Sequence, residues 1–143
     1  HTHPSKTIEM TLNNIVIINL FCKSGLSCVW RAVNTYTRPL LAKQLIEKSL
    51  DLSADVLKCG HHGSSTSSDV AFISEVNPAV AVISCGKNNE YGHPHAEPMS
   101  RLRDAEVTIY RTDRLGTIVA VSDGKNITFS WEHPSSQPEV NKK

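Results

Sequence analysis

The stretch from residue 54 to 112 limits the fold most, because three short apolar runs alternate in it with two helical patterns. "ADVLKC" (54–59), "PAVAVISC" (78–85) and "VTIYRT" (107–112) each read as a strand, the second apolar throughout. "SSDVAFISEVN" (67–77) reads as a helix capped by Ser67 or Ser68. "AEPMSRLRDAE" (96–106) reads as a second helix, with Pro98 tolerated near its start. Strand, helix, strand, helix, strand at this spacing requires right-handed crossovers and an α/β layer.

On either side the pattern changes. "TIEMTLNNIVIINLFC" (7–22) is one long strand or two joined near its paired asparagines, by its β-branched content. "PLLAKQLIEKSLDL" (39–52) fits a helix with Pro39 in its first turn. Residues 23–38 show no period of 2 or 3.6. "GTIVAVSDGKNITFSW" (116–131) is two strands about an Asp123-Gly124 turn, a terminal β-hairpin. The tail 133–143 is polar and proline-containing, and is expected to be disordered. At 143 residues the rest, 1–132, is a single domain with enough chain for a core.

Fifteen basic residues face fourteen acidic ones, so no broad basic field advertises non-specific binding of nucleic acid. A phosphate held at one site remains compatible with that balance. None of Cys22, Cys28, Cys59 and Cys85 forms a CxxC pair, and small buried residues explain them better than a disulfide or zinc cluster. The longest apolar run, "NNIVIINLF", is far too short to span a bilayer, and no signal peptide is present. The first residue is His1 rather than Met, which suggests an excised piece.

In layered α/β folds, ligands meet the protein beyond the carboxyl ends of the strands. His61 and His62 follow the strand at 54–59, His93 and His95 follow that at 78–85, and Thr112 and Asp113 follow the third. Neutral imidazole is a common zinc ligand, and a catalytic zinc lowers the pKa of its bound water toward about 7. Gly60 and Gly63 flank the histidine pair and allow close backbone approach. The serines beginning with Ser64 offer N–H groups at an expected helix start, where an anion is favoured. Taken singly, each feature has a plainer reading. A loop histidine pair is more often structural, "GHPH" is a turn stiffened by Pro94, and Asp113 is a turn-former before Gly116. His1 and His3 lack an acidic partner and are not expected to act.

Three motifs tip that balance. "LKCGHHGSSTSS", "NPAVAVISCGKNNEYGHP" and "LRDAEVTIYRTDRLGTI" occur in this order over about residues 50–124. The set resembles the carboxyl-terminal half of the metallo-β-lactamase-like domain of ComEC-type DNA-internalisation competence proteins. The resemblance implies part of an αββα sandwich and a metal-dependent hydrolase, with zinc or another divalent metal. It also implies a parent protein in the bacterial cell membrane, this domain lying on the extracytoplasmic side beside a membrane channel. DNA, or another phosphodiester, is the implied substrate. By position His61 and His62 match a late metal-ligand histidine, and which of the two faces metal stays open. His93 matches a histidine at the site mouth that binds phosphate or donates a proton. Asn88, Asn89 and Asp113 belong to the same motifs, Asp113 with His93 as candidate catalytic groups. Ser64, Asn88, Asn89 and His95 are candidates for substrate contact.

The departures are as specific. The family's His-x-His-x-Asp-His motif has no counterpart here, and no acidic residue stands between Met10 and Ile46 where its bridging aspartate belongs. Residues 23–38 are divergent. A hydroxide-generating zinc needs about three protein ligands, so the metal site is expected to be incomplete and the chain alone inactive. The first reading is therefore a fragment completed by a missing amino-terminal half. The second is a non-catalytic remnant or binding module. The third is a soluble phosphoesterase or lactonase-type hydrolase, which near-neutral charge favours over DNA. Half a sandwich would leave an apolar sheet face bare, so self-association is expected too.

Overall fold

The computed structural model describes residues 15–18, 47, 52–122 and 125–140. Its elements are β1 (Ile15–Ile18), β2 (Val56–Lys58), a tight 3₁₀ turn (Gly60–Gly63), α1 (Val70–Val76), β3 (Val80–Ile83) and α2 (Ala96–Asp104). They continue through β4 (Thr108–Arg111), the single-turn α3 (Thr112–Leu115), β5 (Ile118–Ser122) and β6 (Ile127–Trp131). The α/β alternation read from residues 54–112 is present, and the closing pair β5–β6 is antiparallel. Of the amino-terminal strand and the 39–52 helix, only residues 15–18 and the helical Glu47 are described. The Asp123-Gly124 turn and residues 23–38 lie outside the described residues, as do His1 and His3.

β2, β3 and β4 form a parallel sheet in sequence order, with Lys58 opposite Val82 and Val82 opposite Tyr110. The three carboxyl ends are therefore level within a residue or two, and their loops emerge along one edge. A second sheet, in the order β1-β5-β6, pairs β5 in parallel with β1.

Strand alternation explains why the central runs are apolar at every position. Ala81 and Ile83 of β3 point to the helices, in a buried cluster with Ile73, Met99, Leu102 and Ile109. Val82 points the other way, to Leu115 and Ile118, with Phe129 and Trp131 packed at the margin. Tyr110 stacks on Phe129 at 4.6 Å between ring centroids and meets Trp131 edge-on at 5.7 Å. The layers thus run helix, sheet, sheet. The inner faces of the two sheets cover each other, so the bare apolar face expected of a half-sandwich does not arise between them. On the outside of the second sheet Val121, Thr128 and Ser130 are exposed.

Two local expectations need correction. The cap of α1 is neither Ser67 nor Ser68: Asp69 Oδ1 accepts from the Phe72 N–H at 2.8 Å. Asp69 directly precedes the helix whose Ile73 and Val76 are buried. Residues 133–140 are also not loose. Ile109 and Glu139 exchange backbone hydrogen bonds at 2.9 Å, which covers the free edge of β4. The Trp131 indole N–H donates to the Ser136 carbonyl at 3.0 Å.

Candidate functional site

Two loops meet at the strand ends. In the first, His61 (φ 46°), His62 (φ 55°) and Gly63 (φ 79°) are all left-handed. For a non-glycine residue this conformation costs roughly 1–2 kcal/mol, and two in succession persist only where the surroundings impose them. The surroundings here are the second loop, 86–95. The His95 N–H donates to the Gly63 carbonyl at 2.8 Å, and the Ser65 N–H donates to His95 Nδ1 at 2.9 Å. Arg101 of α2 adds bonds to the Ser65 and Ser67 carbonyls. Asn89 fixes the second loop from inside, donating to the Gly86 and His93 carbonyls and accepting from the His93 N–H.

These contacts gather three imidazoles around that of His93. Its ring centroid lies 5.4 Å from that of His61, 6.3 Å from His62 and 4.8 Å from His95. Tyr91, an exposed side chain, stacks on it at 5.8 Å. Burial, with the neighbouring His95, His61 and His62 adding to it, holds His93 below the ordinary imidazole range. The neutral form of His93 is thereby favoured over the cation that would pair with a phosphate.

The two candidate ligand histidines differ. His62 Nδ1 lies 2.6 Å from the Ser84 carbonyl. A carbonyl only accepts, so Nδ1 carries the proton and Nε2 of neutral His62 keeps its lone pair. This arrangement orients ligating histidines in metal sites, and the neighbouring His61 is the more exposed of the two. The sequence held no direct sign of Ser84, since its contribution comes from the backbone.

Other candidates are engaged within the protein. His95 uses both ring nitrogens, accepting from Ser65 and contacting the Tyr91 carbonyl at 3.0 Å, so it fastens the loops together. Ser64 is buried, with Oγ 3.3 Å from Thr66 Oγ1. The serines lie in the turn before α1 and not at its start, so they offer no helix-terminal anion site. Asn88 is exposed at φ 55°. Asp113 receives both forks of Arg111, at 3.0 and 2.6 Å, and the Cys85 thiol at 3.3 Å. Its burial raises the carboxyl pKa, but the hydrogen bonds and charge of Arg111 outweigh that and hold it below the ordinary range. Thr112 Oγ1 donates to the Cys85 carbonyl and accepts from the Cys85 N–H, both at 2.9 Å, tying the ends of β3 and β4 together. Among the described residues, no group of three histidine, cysteine or carboxylate side chains is placed to hold a metal ion.

Cys85 itself gives a test of this geometry. Burial, reinforced by the charge of Asp113, pushes its thiol up to about 12. Since the thiolate is the reactive form, iodoacetamide at neutral pH is expected to leave Cys85 largely unmodified. Asp113→Asn is expected to speed its alkylation several-fold. Fully buried Cys59, resolved by peptide mass spectrometry, reports unfolding separately. Equal acceleration at both thiols would mean loosened structure and not a changed pKa.

The chain is similar to known proteins over part of its length. The chain is 40% identical over 90 residues to ComE operon protein 3 of Bacillus subtilis, which is 63% of this chain and 12% of that protein. It is 38% identical over 104 residues to competence protein ComA of Neisseria gonorrhoeae, 66% of this chain and 15% of that protein. The chain is related to competence proteins. Recombination protein 2 of Haemophilus influenzae is 41% identical over 64 residues, 45% of this chain and 8% of that protein. The chain thus spans only a small fraction of the relatives it matches. No family model and no solved structure matches it. No helix among the described residues is long and apolar enough to cross a membrane.

Proposed function

We propose that this chain is part of a competence protein working in bacterial DNA uptake at the membrane. Its paired loops supply one wall of a metal-dependent hydrolase centre of metallo-β-lactamase type, the chain forming the carboxyl-terminal part of that αββα sandwich on the extracytoplasmic side. The observation that carries this reading is the hydrogen bond from His62 Nδ1 to the Ser84 carbonyl, which presents Nε2 outward beside His61 and His93. The donor set is short of a full site. His62 is oriented as a ligand would be, whereas His95 is spent on the loops and Asp113 on Arg111. A catalytic zinc takes about three protein ligands, so no reaction step is assigned to these residues alone. What they do is position: Ser84 fixes the His62 tautomer, and Asn89 holds His93 in the cluster.

Zinc titration followed by imidazole ¹⁵N NMR tests the reading. Zinc is expected to shift Nε2 of His62 while Nδ1 stays bonded to Ser84, and His61→Ala/His62→Ala is expected to abolish zinc uptake. If no imidazole of the cluster responds to zinc, the hydrolase reading fails. The second reading, a non-catalytic binding module, draws support from the Arg111–Asp113 pair, which ties up the carboxylate of Asp113. It predicts no zinc response at all.

A further inference from the structure

Beyond the histidines, the same strand-end edge carries a feature to which no role has been given. Glu139 is held by three arginines: Arg103 at 2.7 Å, Arg114 at 2.8 Å and Arg111 at 3.4 Å. Next to it an open depression of about 410 Å³ is lined by Lys87, Asp113, Arg114, Ser136 and Gln137. We propose that Lys87 and Arg114 bind the phosphodiester backbone of a nucleic-acid strand in this depression, where Glu139 is the internal competitor for Arg114. The proposal rests on the reading that the chain acts in DNA uptake and names where such a strand would lie.

Charge and geometry both favour an anion. Four cations, Lys87, Arg103, Arg111 and Arg114, gather with Asp113 and Glu139 around the patch, although the chain as a whole is nearly neutral. Asp113 does not repel a phosphate as a bare carboxylate would, because both its oxygens are taken by the Arg111 fork. Arg114 is 54% exposed and gives one N–H to Glu139, and a guanidinium has five. Its flat fork matches two phosphate oxygens as well as it matches a carboxylate. Lys87 is exposed and also lines the depression. The surface continues to the histidines: Asp113 and Thr112 bond Cys85, and the adjacent Ser84 holds His62. Neighbouring strands lie about 5 Å apart, so one nucleic-acid strand spans both features.

Fluorescence anisotropy of a short labelled oligothymidylate with the full chain, at several salt concentrations, tests this. Lys87→Ala and Arg114→Ala are each expected to weaken binding several-fold. Each should lower the salt slope by about 0.7, the value for one lost single-strand phosphate contact. Glu139→Gln is expected to tighten binding about fivefold by removing one competing charge. Because Glu139→Gln also loosens the tail, Lys87→Ala, at an exposed position, carries the test if that variant unfolds. No binding by the native chain, or an unchanged slope in Lys87→Ala, overturns the proposal. The two readings fail separately. Zinc response without oligonucleotide binding removes this one alone, and oligonucleotide binding without zinc response removes the hydrolase reading alone.

Discussion

Replacing Gly63 with alanine is expected to destabilise the chain by about 3 kcal/mol, seen as a lower urea midpoint with an unchanged slope. Two costs add. At φ 79° an L-residue pays roughly 1–2 kcal/mol for the left-handed backbone. The new Cβ would also stand 2.7 Å from Pro94 Cβ and 3.3 Å from Ile83 Cγ2. Pro94 is a ring and Ile83 is fully buried, so neither can yield cheaply, and overpacking of this kind costs roughly 1–3 kcal/mol. Gly92 provides the control. It has a similar φ of 68° but nothing within 4 Å of its would-be Cβ, so Gly92→Ala is expected to cost only about 1 kcal/mol. Equal losses in the two variants would mean that the loops are not pressed together at Gly63. A further consequence is local. If the loops part, His95 loses the Gly63 carbonyl, and the His93 ring is expected to move from His61 and His62, visible as changed imidazole shifts.

The sequence disclosed the layers more readily than the site, for a physical reason. Burial on both faces of β3 is written into its unbroken apolar run "VAVI", and helix periodicity marks α1 and α2 without knowledge of their partners. The site depends instead on contacts between distant loops. Nothing local in "GHPH" distinguishes His93, the centre of the cluster, from His95, which fastens the Ser65 N–H 30 positions away. The helix cap differs by a residue or two because serine and aspartate are nearly equivalent caps, and Asp69 is the one whose side chain accepts the Phe72 N–H. The tail escaped detection for a similar reason. Composition gave "EHPSSQPEV" no core residue, yet one backbone pairing and the charge of Glu139 hold it against the β4 edge. Arg111 was missed altogether, although its partner Asp113 was singled out.

That pair carries the second large effect. Arg111 and Asp113 side chains are each 14% exposed, and their bidentate contact is as short as 2.6 Å. Removing one member leaves the other partly buried without its counter-charge, which costs a few kcal/mol in a buried pair. Arg111→Ala is expected to cost about 3 kcal/mol, because it strands Asp113 and also takes one of the cations from Glu139. Asp113→Asn should cost less, about 1–2 kcal/mol, since Arg111 keeps its contact with Glu139 at 3.4 Å. The double variant is then expected to lose less than the sum, as groups in direct contact do. Additive losses would mean that the pair is not coupled. The pH dependence has a definite sign. Arg111 and its neighbours hold Asp113 and Glu139 below the ordinary carboxylate range despite burial, which opposes them as the largest single influence. Their stabilisation is therefore complete above that range and is lost as pH falls through and below it. Thermal melts of the native chain should decline steeply on that acid limb, and in Arg111→Ala the decline should be shallower. A limb of unchanged steepness would place the proton uptake on other carboxylates.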